Sequence, residues 1–260
     1  MPRPLARRWP RMPRARLYSC HSMVAGLTLL LPDSSDAERD AVASAWEAAG
    51  GTVVRVGRFW ERPPVESRTA RVYGADTFCL VLAEKLELDL VTPDDRILAS
   101  ASESLLHRRL EIVSLGSVRA SDFPKFVKPV VPKQFRSGVY ASLDSLGNET
   151  RGLDGATEVI VSEVVVFVAE ARAFVCDAVV RACAVYEGTA DVGQATKFAE
   201  RVVTSLEMPR TCVVDVGLLN DGRWALVECN ATWGAGLNGC EASRVIECIA
   251  AASAARNDVA

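Results

Sequence analysis

The stretch that decides the fold is TCVVDVGLLNDGRWALVECN, residues 211–230. Two apolar runs flank the turn signal NDG at residues 220–222, and this arrangement predicts an antiparallel β-hairpin. If the loop consists of residues 221–222, counting outward along both strands places Asp215 opposite Glu228. The sequence therefore predicts two carboxylates that face each other on one hairpin.

The predicted hairpin face is rich in oxygen ligands. Opposed side chains lie about 4.5 to 5.5 Å apart at Cβ, and like charges there are destabilising unless a positive group lies between them. Asn230 shares the face of Glu228 because strand side chains alternate. An Asp, a Glu and an Asn oxygen suit Mg²⁺, which prefers hard ligands. A solvated hairpin face with a slipped register is the alternative, and the spacing alone leaves it open.

Lysines cluster in one segment of a chain that otherwise uses arginine. Five of the 30 basic residues are lysines, and three of these, Lys125, Lys128 and Lys133, lie in FPKFVKPVVPKQF at residues 123–135. Compact ammonium groups in an apolar strand and its following loop suit contacts with phosphate. A surface strand edge that carries lysines against aggregation is the alternative.

A charged pair interrupts another apolar run. In VSEVVVFVAEARAFV, residues 161–175, Glu170 and Arg172 lie two positions apart and therefore on one face of the predicted strand. The pair is either a structural ion pair or part of a reaction site, where a planar, permanently charged guanidinium would suit a phosphoryl group.

The first half of the chain predicts a β-α-β unit. The apolar run at residues 24–32 precedes a helical segment that ends at Gly50-Gly51, and a second strand-like run follows at 52–57. Ser35 stands where it can cap the helix, with Glu38 three residues on. A secretory signal is the competing interpretation of the first run, because arginines precede it.

Residues 23–92 as a whole predict a small Rossmann-like layer, with a helix at about 75–87 and a short strand at 88–91. No GxGxxG motif follows the first strand, so dinucleotide binding is not supported. The remainder, residues 93–256, is rich in strand-like runs and predicts a second domain.

The N-terminal tail differs in composition from the rest. Residues 1–22 hold six of the 30 basic residues and no acid, which leaves 24 basic against 33 acidic residues and a net charge of −9 for the remainder. This balance does not support nucleic-acid binding. The tail lacks apolar periodicity, so we interpret it as unstructured or as an over-extended start before Met23.

Cysteine spacing and hydropathy indicate the cellular compartment of the protein. The eight cysteines show no CxxC spacing and mostly lie in apolar runs, which favours free thiols in a reducing, cytoplasmic setting. No apolar stretch reaches the roughly 20 residues of a membrane-spanning helix. The two histidines are too far apart in sequence to indicate a metal site.

Five motifs follow one another in the second half of the chain: FVKP at 126–129, SEVV at 162–165, EARAF at 170–174, VVDVG at 213–217 and ALVECNATWGAG at 225–236. In order and spacing they resemble the ATP-grasp superfamily, and most closely its R-two-K clade. The resemblance covers roughly residues 23–255. It implies an α/β (α+β) fold in which a small Rossmann-like pre-ATP-grasp domain, 23–92, precedes an ATP-grasp domain, 93–256.

The resemblance implies a site for ATP. Lys128 matches the strand lysine that contacts the nucleotide phosphates, and Lys133 matches a second phosphate-side lysine in the following loop. Glu163, with the backbone of Val164 and Val165, matches the hinge that receives adenine and ribose.

The resemblance also implies residues for catalysis and for Mg²⁺. Arg172 would face the terminal phosphate, with Glu170 as its orienting partner. The Mg²⁺ ligands would be Asp215, Glu228 and Asn230, in agreement with the hairpin count. The loop at residues 233–236 would receive the second substrate, and Tyr186 would lie near the site in a role that the motifs do not specify.

The activity that the resemblance implies is an ATP- and Mg²⁺-dependent ligase that joins a carboxylate to an amine or a thiol through an acyl-phosphate. A kinase-like phosphotransferase and a non-catalytic ATP-binding regulatory module are the alternatives; the complete metal set disfavours the module. In place of a Gly-rich loop over the phosphates, the chain has Arg136-Ser137-Gly138. The substrates, small-molecule or peptide, and the oligomeric state, a homodimer being one option, stay open.

Overall fold

The computed structural model describes residues 24–256. The interpretation of residues 1–22 as a tail, and the question of a start at Met23, lie outside this range. No helix within residues 24–256 is long and apolar enough to cross a membrane.

The N-terminal region contains the predicted β-α-β unit. Its first strand has a fully buried centre of three leucines, and its sheet is parallel with the order β2-β1-β3. The apolar run is therefore a buried strand. The elements are β1 (Thr28–Pro32), α1 (Ala37–Ala48), β2 (Thr52–Val56), β3 (Ala70–Val72), α2 (Asp76–Leu86) and β4 (Leu88–Leu90).

The start of α1 differs from the prediction. Asp36, rather than Ser35, caps the helix, and its Oδ1 accepts a 2.9 Å hydrogen bond from the Arg39 backbone N–H. Glu38 takes no part in a capping box, because its carboxylate binds the backbone of a distant loop.

A four-stranded antiparallel sheet with the order β5-β8-β6-β7 forms the middle of the chain. Strand β6 carries the FVKP motif, and β8 ends at Ser162, directly before the predicted hinge. The elements are α3 (Ile97–Ser100), α4 (Glu103–Leu106), β5 (Leu110–Ser114), β6 (Lys125–Pro129), β7 (Gly138–Tyr140), α5 (Leu143–Glu149) and β8 (Glu158–Ser162).

A second four-stranded antiparallel sheet, with the order β10-β9-β11-β12, contains the predicted hairpin. Side-chain alternation in β9 divides the core: Ala171, Ala173 and Val175 pack under α6, whereas Phe174 packs towards α1 and α7. The elements are β9 (Phe167–Cys176), β10 (Val179–Gly188), α6 (Val192–Ser205), β11 (Thr211–Leu219), β12 (Trp224–Asn230), α7 (Ala242–Ala250) and β13 (Ser253–Ala255).

The last strand returns to the N-terminal region. Strand β13 pairs antiparallel with β4, and Arg256 forms ion pairs with Glu84 and Asp89. The C-terminal strand therefore packs against the N-terminal region, and the division at residues 92 and 93 stays a prediction.

The hairpin register agrees with the prediction, although the turn does not. The loop has three residues, since Leu219 N–H donates to the Arg223 carbonyl and Gly222 adopts a left-handed φ of 84°. Val227 is then an extra residue in β12, a β-bulge that shifts the ladder by one position and places Glu228 opposite Asp215. The longer loop and the bulge cancel, so the predicted pairing is correct.

Candidate active site

A cleft lies between the two four-stranded sheets. Its main cavity, about 510 Å³, is bordered by Lys128 from one sheet and by Arg172, Glu228 and Asn230 from the other. A smaller cavity of about 120 Å³ adjoins it, and Lys128 and Glu228 border both. The smaller cavity is largely apolar and includes Phe126, Val139, Val164, Val165, Phe167 and Val227.

An ion pair forms the floor of the cleft. Arg172 Nε donates to Asp215 Oδ1 at 2.9 Å and Nη2 donates to Oδ2 at 2.7 Å, so the pair is bidentate. The Asp215 side chain is 2% exposed and that of Arg172 is 12% exposed. The two residues are also cross-strand partners of β9 and β11. A planar fork in this geometry fixes both side chains.

Burial and pairing act in opposite directions on these two groups. Burial favours the neutral form of Arg172, but the hydrogen bonds and the charge of Asp215 outweigh it and raise the pKa of the guanidinium. Burial raises the pKa of the Asp215 carboxyl, and the hydrogen bonds from Arg172 oppose that shift. Arg172 is therefore charged at neutral pH.

The three predicted metal ligands converge. Asn230 Nδ2 donates to Glu228 Oε1 at 2.9 Å and to Asp215 Oδ2 at 3.2 Å, so an amide N–H lies between the two carboxylates. Glu228 is the more open acid, with a side chain 40% exposed and an oxygen 3.7 Å from Lys128 Nζ. Two carboxylates and an amide form a hard donor set that a divalent cation fits once the amide turns its oxygen inward.

Glu170 has no direct hydrogen bond or ion pair with Arg172 in the described part of the chain, and Tyr186 links the two side chains. The Tyr186 hydroxyl donates to Glu170, and the Arg172 guanidinium lies over the Tyr186 ring at 5.8 Å. Burial and the hydrogen bond to Glu170 both raise the pKa of Tyr186, so its phenol keeps its proton. Glu170 therefore reaches Arg172 only through the Tyr186 ring.

The two lysines predicted to contact phosphate both line the main cavity, but they differ in exposure and in their ion-pair partners. Lys128 is on β6, with a side chain 25% exposed. Lys133 lies in the loop after β6 with a left-handed φ of 67°, and its ammonium pairs with Asp76 at the start of α2. Its side chain is 68% exposed, so this lysine is held at the rim by the N-terminal region.

The predicted hinge borders the smaller cavity. Glu163, Val164 and Val165 all line it. The Glu163 carboxylate accepts the Arg109 backbone N–H at 2.8 Å, and the Glu163 carbonyl accepts the Ser162 hydroxyl at 2.9 Å. These hydrogen bonds hold the hinge, and Val164 and Val165 contribute to the apolar lining of the cavity.

The loop after β12 is held by contacts that the sequence did not indicate. The Glu38 carboxylate accepts the backbone N–H groups of Leu237 and Asn238, each at 2.8 Å. The buried Tyr73 hydroxyl donates to the Ala235 carbonyl at 2.7 Å. Since Glu38 and Leu237 are 199 positions apart, no local pattern could have indicated the contact.

The same loop also contacts the floor of the cleft. Arg172 Nη1 donates to the Gly236 carbonyl at 3.0 Å. The segment predicted to receive the second substrate is therefore anchored on one side by the N-terminal region and on the other by Arg172.

A substitution of Glu38 tests this anchor. Glu38→Gln keeps one acceptor oxygen but turns an amide N–H towards a backbone N–H, so we expect a loss of about 1 to 3 kcal/mol in unfolding free energy. Thermal unfolding would measure it, with Glu47→Gln on the exposed side of the same helix as the matched control. Equal melting temperatures for both variants would contradict the anchor.

The two four-stranded sheets with their intervening cleft form the ATP-grasp fold, which solved structures of low sequence identity share. More specifically, the chain belongs to the ATP-grasp domains of the R-two-K clade, family 2. The model of that family matches residues 105–248, which are more than half of the chain. A search of curated protein sequences finds no match.

Three solved structures share the fold at low identity. The RimK domain ATP-grasp protein of Sphaerobacter thermophilus DSM 20745 is 16% identical, with a TM-score of 0.55 over 86% of this chain and 99% of that one. D-cycloserine synthetase DcsG is 18% identical, with a TM-score of 0.55 and the same coverage. The ATP-grasp ligase PsnB, solved with a precursor variant, Mg and ADP, is 13% identical, with a TM-score of 0.50 over 87% of this chain and 97% of that one.

Proposed function

We propose that this chain is an ATP- and Mg²⁺-dependent ligase that joins a carboxylate to an amine or a thiol through an acyl-phosphate. The observation that carries the proposal is the convergence of Asp215, Glu228 and Asn230 beside two cations, Lys128 and Arg172, at the mouth of an apolar cavity. An apolar slot for a base next to a polar cavity for phosphates and metal is what a nucleotide-dependent reaction needs.

In the proposed reaction, a substrate carboxylate oxygen attacks the γ-phosphorus of ATP. The bond between that phosphorus and the β,γ-bridging oxygen breaks, and ADP leaves. The amine nitrogen or thiol sulfur then attacks the acyl carbon, phosphate leaves with the bonding electrons, and the nucleophile loses its proton. Such chemistry depends on positioning and on charge stabilisation, so it needs no histidine.

Each proposed residue has a role that its contacts support. Asp215, Glu228 and Asn230 would hold Mg²⁺, which supplies charge neutralisation for the phosphates. Lys128 and Arg172 would stabilise the charge on the transferring phosphoryl group.

Three residues would assist at the edges of the site. Lys133 would exchange its contact with Asp76 for one with phosphate. Glu170 would keep the Tyr186 ring against Arg172 through its hydrogen bond to the phenol. Glu163 would meet the ribose and adenine at the hinge.

The substrate class is proposed from likeness alone. PsnB is an ATP-grasp ligase solved with a phosphomimetic variant of a minimal precursor, and DcsG is a D-cycloserine synthetase. A small-molecule or peptide carboxylate and a nucleophile are therefore the first substrates to test.

The products distinguish the proposed ligase from the alternatives. We expect ADP and free phosphate to accumulate only when a carboxylate and a nucleophile are both present, because the acyl-phosphate must be consumed. The measurement is mass spectrometry of purified protein incubated with Mg²⁺-ATP and a pooled amino-acid and peptide library, following nucleotides and new masses together. The Asp215→Asn, Glu228→Gln double variant is the control for contaminating ATPase.

Other product patterns would contradict the ligase. ADP with the phosphate retained on an acceptor would indicate a kinase. Nucleotide binding with no turnover across the library would favour a regulatory module, and AMP with pyrophosphate would exclude attack at the γ-phosphorus.

A further inference from the structure

Arg108 is a buried cation next to the cleft, between α4 and β5. It is 8% exposed and borders the smaller cavity. Its guanidinium donates to neutral oxygens: Nε to Ser162 Oγ at 3.2 Å, Nη1 to the Leu106 carbonyl at 3.1 Å and to the Leu226 carbonyl at 2.8 Å, and Nη2 to the Val227 carbonyl at 3.5 Å. Burial lowers the pKa of Arg108 to about 10.

Burying the guanidinium costs desolvation free energy, and an apolar side chain at this position would not incur that cost. A buried charge needs compensation, and here backbone carbonyls and one hydroxyl supply it rather than a carboxylate. Two of those carbonyls, of Leu226 and Val227, belong to β12 at its bulge. Two of the hydrogen bonds of Arg108 therefore act on the segment that sets the register of β12.

The bulge decides which way Glu228 points. In an unbroken ladder, Asp215 would lie opposite Val227, and Glu228 would face α6 among apolar side chains. With Val227 as an extra residue, both Val227 and Glu228 border the cleft, while Leu226 and Cys229 stay on the face that packs under α6. A bulge thus re-aims the side chain that would bind metal.

We propose that Arg108 is a positioning residue that holds the Val227 bulge and so keeps Glu228 opposite Asp215. Through Ser162 Oγ, which donates to the Glu163 carbonyl, the same guanidinium ties the bulge to the hinge. The role of Arg108 in the register of β12 follows from the geometry alone. The effect of that register on Mg²⁺-dependent ATP binding rests on the proposed function.

The test compares Arg108→Lys with Arg151→Lys, an exposed arginine outside both cleft cavities. A lysine keeps the charge but cannot direct donors at Ser162 and three carbonyls at once. Titration calorimetry would give the Kd for ATP with Mg²⁺ and with EDTA, and the ratio of the two is the Mg²⁺-dependent gain. We expect this gain to fall about 10- to 100-fold in Arg108→Lys, the usual effect of losing a group that orients a metal ligand, and to stay at the parent value in Arg151→Lys.

The ratio separates positioning from general damage. A merely structural role would weaken ATP binding equally with and without Mg²⁺, and an unchanged ratio in a folded Arg108→Lys variant would overturn the proposal. If the parent itself has no Mg²⁺-dependent gain, the proposed function fails. The proposal is then decided by a crystal structure of Arg108→Lys, where a retained bulge would overturn it.

Deletion of Val227 supplies a rescue experiment. Without that residue, Glu228 follows Leu226 directly and lies opposite Asp215 in a regular ladder, and every other side chain keeps its face. We therefore expect Arg108→Lys to reduce the Mg²⁺-dependent gain much less in the deletion background than in the parent. An equal reduction in both backgrounds would exclude the bulge as the route of the effect.

Discussion

Replacing Asp215 by Asn and Glu228 by Gln together should remove most of the Mg²⁺-dependent gain in ATP affinity. The Asn230 amide N–H lies between the two carboxylates and donates to each of them, so both carboxylates face the proposed metal position. The double variant removes both of their negative charges. We expect the gain to fall by about 100-fold or more, since even residues behind the ligands typically contribute 10- to 100-fold. Titration calorimetry with Mg²⁺ and with EDTA would measure it.

A matched control and a milder variant protect this prediction. Asp221→Asn with Glu187→Gln makes the same charge change at exposed positions outside the cleft cavities. Should the double variant lose its fold because Arg172 is left unpaired, Glu228→Gln alone removes the open ligand and leaves the buried pair intact. An unchanged Mg²⁺-dependent gain in that single variant would refute the metal assignment of Glu228.

The second large effect concerns Arg172. Arg172→Lys preserves the charge but loses the planar fork that holds two Asp215 oxygens and the Gly236 carbonyl. We expect ATP affinity within several-fold of the parent and turnover at least about 100-fold lower, the size typical for loss of one preorganised donor to a transition state. Turnover at the parent rate would contradict the proposed role of Arg172.

Removing the cation altogether should also expose a pH dependence of stability. In Arg172→Met, the buried Asp215 carboxylate loses its bidentate partner, which we expect to cost about 3 to 5 kcal/mol at neutral pH. Burial already raises the pKa of Asp215, and loss of Arg172 raises it further. A folded-state pKa above the unfolded one means that the variant regains stability as pH falls and Asp215 takes up a proton. Urea unfolding of parent and variant at pH 5 and pH 7.5 would measure the difference.

The hairpin at residues 211–230 illustrates which features of the site could be predicted from the sequence. The pairing of Asp215 with Glu228 was predicted by outward counting from a two-residue loop through an unbroken ladder. The chain uses a three-residue loop and a bulge at Val227, and the two errors cancel. The count from NDG could not include the bulge, and the donors to the carbonyls of Leu226 and Val227 are on Arg108, more than a hundred positions away.

The contacts of Arg172 illustrate the other limit of local patterns. Alternation placed Glu170 and Arg172 on one strand face, which is correct, but the neighbour across the strands, Asp215, is closer than the neighbour along the strand. The ionic partner of a strand residue depends on the adjacent strand, and a single segment does not contain that information. The hairpin count and the resemblance both indicated the candidate ligands Asp215, Glu228 and Asn230, whereas their hydrogen bonds follow only from the three-dimensional arrangement.

The anchoring of the loop after β12 by Glu38 and Tyr73 makes the cleft a shared property of two distant parts of the chain. Moving the second half of the chain onto a foreign N-terminal region would leave these two side chains behind. The transplanted loop would then have to find new acceptors and donors or lose its shape. Exchange of the N-terminal region between relatives therefore requires residues equivalent to Glu38 and Tyr73 in the incoming module.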